Sequence, residues 1–134
     1  MLSDLIIDKT EYTPAVFFST TATNFSIVGE ARPENAGKFF EPIIAWLKHF
    51  CEDAHNVPAF KTDKNIIMRF ELDYFNSSSI KYLYDVLKQL EFLSSYVAKL
   101  DVVWAYEASD EDMYENGVEF SKIIGVNFIF EKRV

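Results

Sequence analysis

The chain has 134 residues, of which 49% are apolar and 16% aromatic, and its formal net charge is -8. That length suits one domain, residues 1–134, and that apolar content excludes a disordered chain because it can fill a packed core. The negative charge argues against nucleic acid or membrane partners, whose phosphates repel it, and favours basic protein surfaces.

Cys51 is the single cysteine, so no intramolecular disulfide forms. Met1–Asp8 lacks a basic start, and its apolar run is too short for a signal peptide. No apolar stretch approaches the ~20 residues of a membrane span. The expected compartment is the reducing cytoplasm.

In chain order, Ala15–Ser19 and Phe25–Val28 read as a hairpin around the turn-forming Thr20–Asn24, with Gly29 ending the second strand. Residues from about Pro33 to Cys51 show helical spacing, with Phe39, Ile43 and Leu47 on one stripe. Pro42 implies either a kink or a helix that starts near Glu41. Glu52–Asn65 reads as a polar loop. Ile66–Phe75 alternates: Ile66, Met68, Phe70, Leu72 and Tyr74 share one face, and Arg69, Glu71 and Asp73 the other.

Ile80, Leu83, Leu87, Leu90 and Val97 then follow a helical period, and Val102, Trp104 and Tyr106 alternate as a strand. Strand, long helix and strand make a right-handed βαβ unit with parallel strands. Asp110–Lys122 reads as a short acidic helix, Gly125 as its breaker, and Val126, Phe128 and Phe130 as the last strand. The expected fold is α/β: a mixed sheet of five or six strands with two or three helices, STAS-like in general architecture. The helices cover mainly one side, and the second face is left to solvent or to a partner.

No assembled chemistry for catalysis is visible. His49, Cys51 and His55 are three candidate ligands where a structural zinc site needs four. Cys51 falls on an apolar helix stripe, where an inert thiol is expected. A G-x-S-x-G elbow is absent, and Gly29, Gly37, Gly117 and Gly125 are too scattered for a phosphate loop. The expectation is a protein that is not an enzyme, with no metal and no cofactor.

Two features carry functional readings. Glu107, Asp110, Glu111, Asp112, Glu115 and Glu119 form an acidic run, with no basic residue until Lys122, that suits either a solvated helix start or a docking patch for a basic partner. The segment Asn76-Ser77-Ser78-Ser79 joins a strand to a helix. One Asn or Ser suffices as a cap accepting the first-turn N–H groups. Four in a row suit a phosphorylation switch, because a phosphate at a helix start is stabilised there and changes the surface charge sharply. On physical grounds alone capping outweighs switching.

Several segments, taken together and in order, resemble the SiaC family of bacterial regulatory phosphoproteins. These are Thr10-Glu11-Tyr12-Thr13-Pro14, then Gly29-Glu30-Ala31-Arg32-Pro33-Glu34-Asn35, which resembles G-[ED]-S-x-P-E-N, and Phe40 with Ile44-Ala45-Trp46-Leu47. Tyr74-Phe75-Asn76-Ser77-Ser78-Ser79 resembles Y-[FL]-N-T-S-S. Trp104-Ala105-Tyr106 and Asp110-Glu111-Asp112-Met113 with Glu115 and Gly117 resemble W-x-Y and D-E-D-M-x-E-x-G.

The resemblance implies an adaptor in a partner-switching circuit. A dedicated kinase phosphorylates it, a PP2C-type phosphatase reverses this, and the unphosphorylated form activates a diguanylate cyclase, raising cyclic di-GMP and favouring biofilm. Carried over, the acceptor is Ser77, which stands where the family has Thr, with Ser78 and Ser79 as alternatives. Ala31 stands where the family has Ser. Asn76, Glu30, Arg32, Glu34, Asn35, Asp110, Glu111 and Asp112 become partner-binding candidates. The competing reading is a STAS-type anti-sigma-factor antagonist, a domain also phosphorylated at a helix start; its D-S-[ST]-G-[LI]-G signature is absent here.

Overall fold

The computed structural model describes residues 2–134. The alternating stretch forms β4, Asn65–Phe75, at the centre of a six-stranded sheet. The strands lie in sequence order: β1 (Leu5–Ile7), β2 (Ala15–Phe18), β3 (Asn24–Ala31), β4, β5 (Lys99–Glu107) and β6 (Asn127–Arg133). β1, β2 and β3 pair antiparallel; β3 to β6 all run parallel. The helices are α1 (Ala36–His55), α2 (Pro58–Asp63), α3 (Ser77–Ser94) and α4 (Glu111–Ile123).

This order decides the layering. Crossovers between parallel strands are right-handed, so three crossovers stepping the same way put every helix on the same face. The core rings show it. Phe25 on β3 and Phe50 on α1 meet edge to face at 5.7 Å, and Phe40 on α1 stacks on Tyr82 of α3 at 5.8 Å. Trp104 on β5 bridges Phe70 of β4 at 5.5 Å and Phe120 of α4 at 5.7 Å. Among the described residues, the opposite face has no helix. It carries an ion-pair network in which Arg69 pairs with Glu71 and Glu131, and Arg133 with Glu71 and Asp73. The carboxyl of Glu131 is held below its usual range by the hydrogen bond from Arg69.

Several sequence expectations need correction. Leu5–Ile7 adds an edge strand where none was expected, and three residues are too few to show a period. α1 begins neither near Pro33 nor near Glu41. It begins at Ala36, because the Asn35 side chain accepts the Lys38 N–H at 3.0 Å, and Pro42 lies inside it. The polar stretch after it is not a plain loop: α1 runs on to His55, and Pro58 starts α2, which makes four helices among the described residues rather than two or three. Ile80 is turned to solvent, and the buried position on that turn of α3 belongs to Ser79.

Gly29 does not end β3. It is buried within the strand at φ 128°, and a Cβ there would stand 3.3 Å from the Pro14 Cα. Gly29→Ala therefore combines a disfavoured backbone with crowding against the segment before β2, at an expected cost of about 1–3 kcal/mol. Urea unfolding should show a lower midpoint at unchanged slope, and an unchanged midpoint would contradict the strain.

Candidate functional site

The parallel strands β3, β4 and β5 each run into the start of a helix, so their C-terminal ends share one edge of the sheet. Glu30, Arg32, Glu34 and Asn35 follow from β3. Asn76 to Ser79 follow from β4, and Asp110 to Asp112 from β5. All the candidate residues, scattered over more than half the chain, meet along this edge with the serine cluster between the other two groups.

The Asn76 N–H donates to the Ala31 carbonyl at 3.0 Å, which extends the β3–β4 ladder to the helix start. The Asn76 side chain does not accept a first-turn N–H, contrary to the capping expectation. Instead its Oδ1 accepts the Ser79 hydroxyl at 2.6 Å and the Ser78 hydroxyl at 3.2 Å, while its backbone carbonyl accepts the Ser79 N–H. Burial then sorts the three serines. Ser79 is 0% exposed, and Ser77 and Ser78 face solvent. Among the described residues, the Ser77 hydroxyl makes no hydrogen bond.

A bulge shapes the neighbouring surface. Gly29 pairs with Leu72 but Glu30 pairs with Tyr74, so Asp73 is an extra residue in β4. A bulge interrupts the strict alternation of faces. Tyr74 thereby leaves the core side and stands with Asp73 on the open side, 47% exposed. The Arg32 guanidinium lies 5.6 Å from the Tyr74 ring centroid and 5.8 Å from that of Tyr12, and donates to Glu30 at 2.7 Å. The Arg32 N–H donates to the Tyr12 carbonyl at 2.7 Å, which fixes the Thr10–Thr13 turn against β3. Sequence reasoning missed Tyr12 and Tyr74 as site residues. Their motifs were visible, but the bulge that brings them to Arg32 leaves no periodic signal.

The other candidates divide by role. Asn35 and Asp110 are helix caps; the Asp110 carboxylate accepts the Met113 N–H at 3.0 Å. Glu34, Glu111 and Asp112 are exposed. Trp104 is buried, its indole N–H donates to the Met113 carbonyl at 2.9 Å, and its ring lies where any side chain at Gly117 would go. The D-E-D-M-x-E-x-G pattern is thus in large part the footprint of a tryptophan.

At the far end of the helix layer, α1 and α3 enclose a groove of about 580 Å³ containing Cys51, His55, Phe92 and Tyr96. Burial, aided by the charge of Glu52, pushes the Cys51 thiol up. His55 packs edge-on against Tyr96 at 4.8 Å and His49 lies 3.7 Å from Asp53, so each histidine has its own neighbour. No helix of the described residues is long and apolar enough to cross a membrane.

The family described as SiaC family regulatory phosphoprotein matches residues 7–132. An uncharacterised protein of Pseudomonas aeruginosa is 30% identical over 119 residues, which are 89% of this chain and 88% of that protein. A chain of the crystal structure of the diguanylate cyclase SiaD in complex with its activator SiaC, from the same species, superposes with a TM-score of 0.82 at 28% identity. That match covers 97% of this chain and 100% of the other. The apo-SiaC crystal structure from Pseudomonas aeruginosa gives a TM-score of 0.79 at 28% identity, over 96% and 98% of the two chains. With its motifs in order on the same fold, this chain belongs to the SiaC family of regulatory phosphoproteins.

Proposed function

We propose that this protein is a non-catalytic adaptor whose binding to a diguanylate cyclase is controlled by phosphorylation of Ser77. The observation that carries the reading is the sorting of the serines: Ser79 is buried, the Ser78 and Ser79 hydroxyls are donated to Asn76, and Ser77 alone is both exposed and uncommitted. A kinase transfers the terminal phosphoryl group of ATP to the Ser77 oxygen, which loses its proton, and ADP leaves. A PP2C-type phosphatase returns the hydroxyl by attack of water, releasing inorganic phosphate. Each transfer alters the charge at the middle of the candidate edge by close to two units.

The cyclase partner is supported by the likeness to a chain of the SiaD–SiaC complex. The contact surface in this reading comprises Glu30, Arg32, Glu34 and the first turn of α4, with Asn35, Asn76 and Asp110 holding the helix starts in place. Intact mass of the protein isolated from its native host should reveal a species heavier by one phosphate, absent from Ser77→Ala. A single mass in the presence of the cognate kinase, or a phosphate retained in Ser77→Ala, would overturn the assignment.

A further inference from the structure

We propose that a phosphate on Ser77 is bound within the same chain by Arg32, whose guanidinium leaves Glu30 to reach it. This rests on Ser77 as the acceptor and adds where its phosphate goes. The backbone bond from the Asn76 N–H to the Ala31 carbonyl couples the ends of two parallel strands. Arg32 and Ser77 are each the next residue after that bonded pair, so the two side chains start from neighbouring positions.

The present contacts of the guanidinium are weak ones. Its ion pair with Glu30 is solvent-exposed on both sides, at 48% and 37%, and such pairs contribute little. The rings of Tyr12 and Tyr74 guide it without committing its donors. A phosphate dianion offers twice the charge of a carboxylate and three oxygens for two parallel N–H···O bonds, a geometry that arginine matches and lysine does not. The Arg32 main chain is tied to the Tyr12 carbonyl, so the side chain moves and the strand end stays in place. Lys81, one helical turn after Ser77, is the competing cation nearest to it in sequence. Its ammonium lies 3.2 Å from Asp85 and 4.6 Å from the Tyr82 ring, toward the following turn.

The consequence reaches beyond one residue. When Arg32 moves, the Glu30 carboxylate loses its partner, and Tyr12 and Tyr74 lose the cation between them. One modification thereby adds a dianion, uncovers a second anion and loosens an exposed aromatic pair on the same surface.

The test uses the full chain with phosphoserine placed at position 77 by genetic encoding, followed by ³¹P NMR titration of its second ionisation, ordinarily near pH ~6. Bound to Arg32, the dianion is favoured, so the midpoint in the wild-type background should lie about 0.5–1 unit below that in Arg32→Gln. Arg32→Lys should fall between them, and Lys81→Gln should match wild type. Amide spectra of the variants establish that they are folded. Equal midpoints in wild type and Arg32→Gln, or a Lys81→Gln shift as large as that of Arg32→Gln, would overturn the proposal. Because no kinase is used, a native protein never found phosphorylated would remove the acceptor assignment and leave this titration readable.

Discussion

Trp104→Ala is expected to lower the unfolding free energy by about 3–5 kcal/mol, a large part of the ~5–15 kcal/mol that holds a typical domain together. Trp104 is the largest of the fully buried side chains. Its ring joins Phe70 in the sheet to Phe120 in α4, and its removal opens a cavity across two layers. The Met113 carbonyl also loses its indole donor. For a chain of this length the melting midpoint should fall by roughly 10–20 °C. The same contact read from the other side gives Gly117→Ala, whose Cβ would overlap the Trp104 ring. The ring is hemmed in by neighbours, so overpacking there costs about 1–3 kcal/mol or more. A thermal midpoint unchanged in Trp104→Ala would show that α4 is not anchored through this ring.

The second large effect is on binding. Ser77→Asp should keep the fold, since Ser77 is exposed in the first turn of α3, where an acid interacts favourably with the helix N-terminus. On the proposed adaptor reading it should weaken binding to a diguanylate cyclase by about 100-fold or more, equivalent to ~2.7 kcal/mol, because it places a charge in the centre of the candidate edge. Titration calorimetry against the purified cyclase would read the affinity, and a thermal scan the fold. The neighbouring serines serve as controls with opposite signatures. Ser78→Asp is exposed, and its effect on affinity should be the smaller. Ser79→Asp places a carboxylate at a fully buried position and should destabilise the protein itself. Equal affinity for wild type and Ser77→Asp would remove the switch from this position.

The fold gives a physical reason why a strand-to-helix junction suits the proposed switch. Four parallel strands in sequence order bring three helix starts to one edge, and the loops there are short. A residue after β4 is flanked on both sides, by the end of β3 and by the end of β5. A small chemical change at the middle position is therefore felt by segments far apart in sequence.

The sequence by itself determined the elements that have a period or a strong stop signal. β4, α3, β5 and α4 were legible because alternation and helical spacing report burial on one face directly. The parallel β4–α3–β5 unit followed from chain chirality. The serine cluster and its flanking motifs were legible too, as residue patterns in order. Tertiary structure decided what period cannot encode. β1 exists because β2 offers an edge, and α1 starts at Ala36 because Asn35 caps it. Ile80 faces outward because Ser79 takes the buried site, and Tyr74 changes face because Asp73 is an extra residue in the strand. The three serines look alike in sequence. Hydrogen bonds to Asn76 and burial separate them, and those depend on how the end of β4 meets α3 in space.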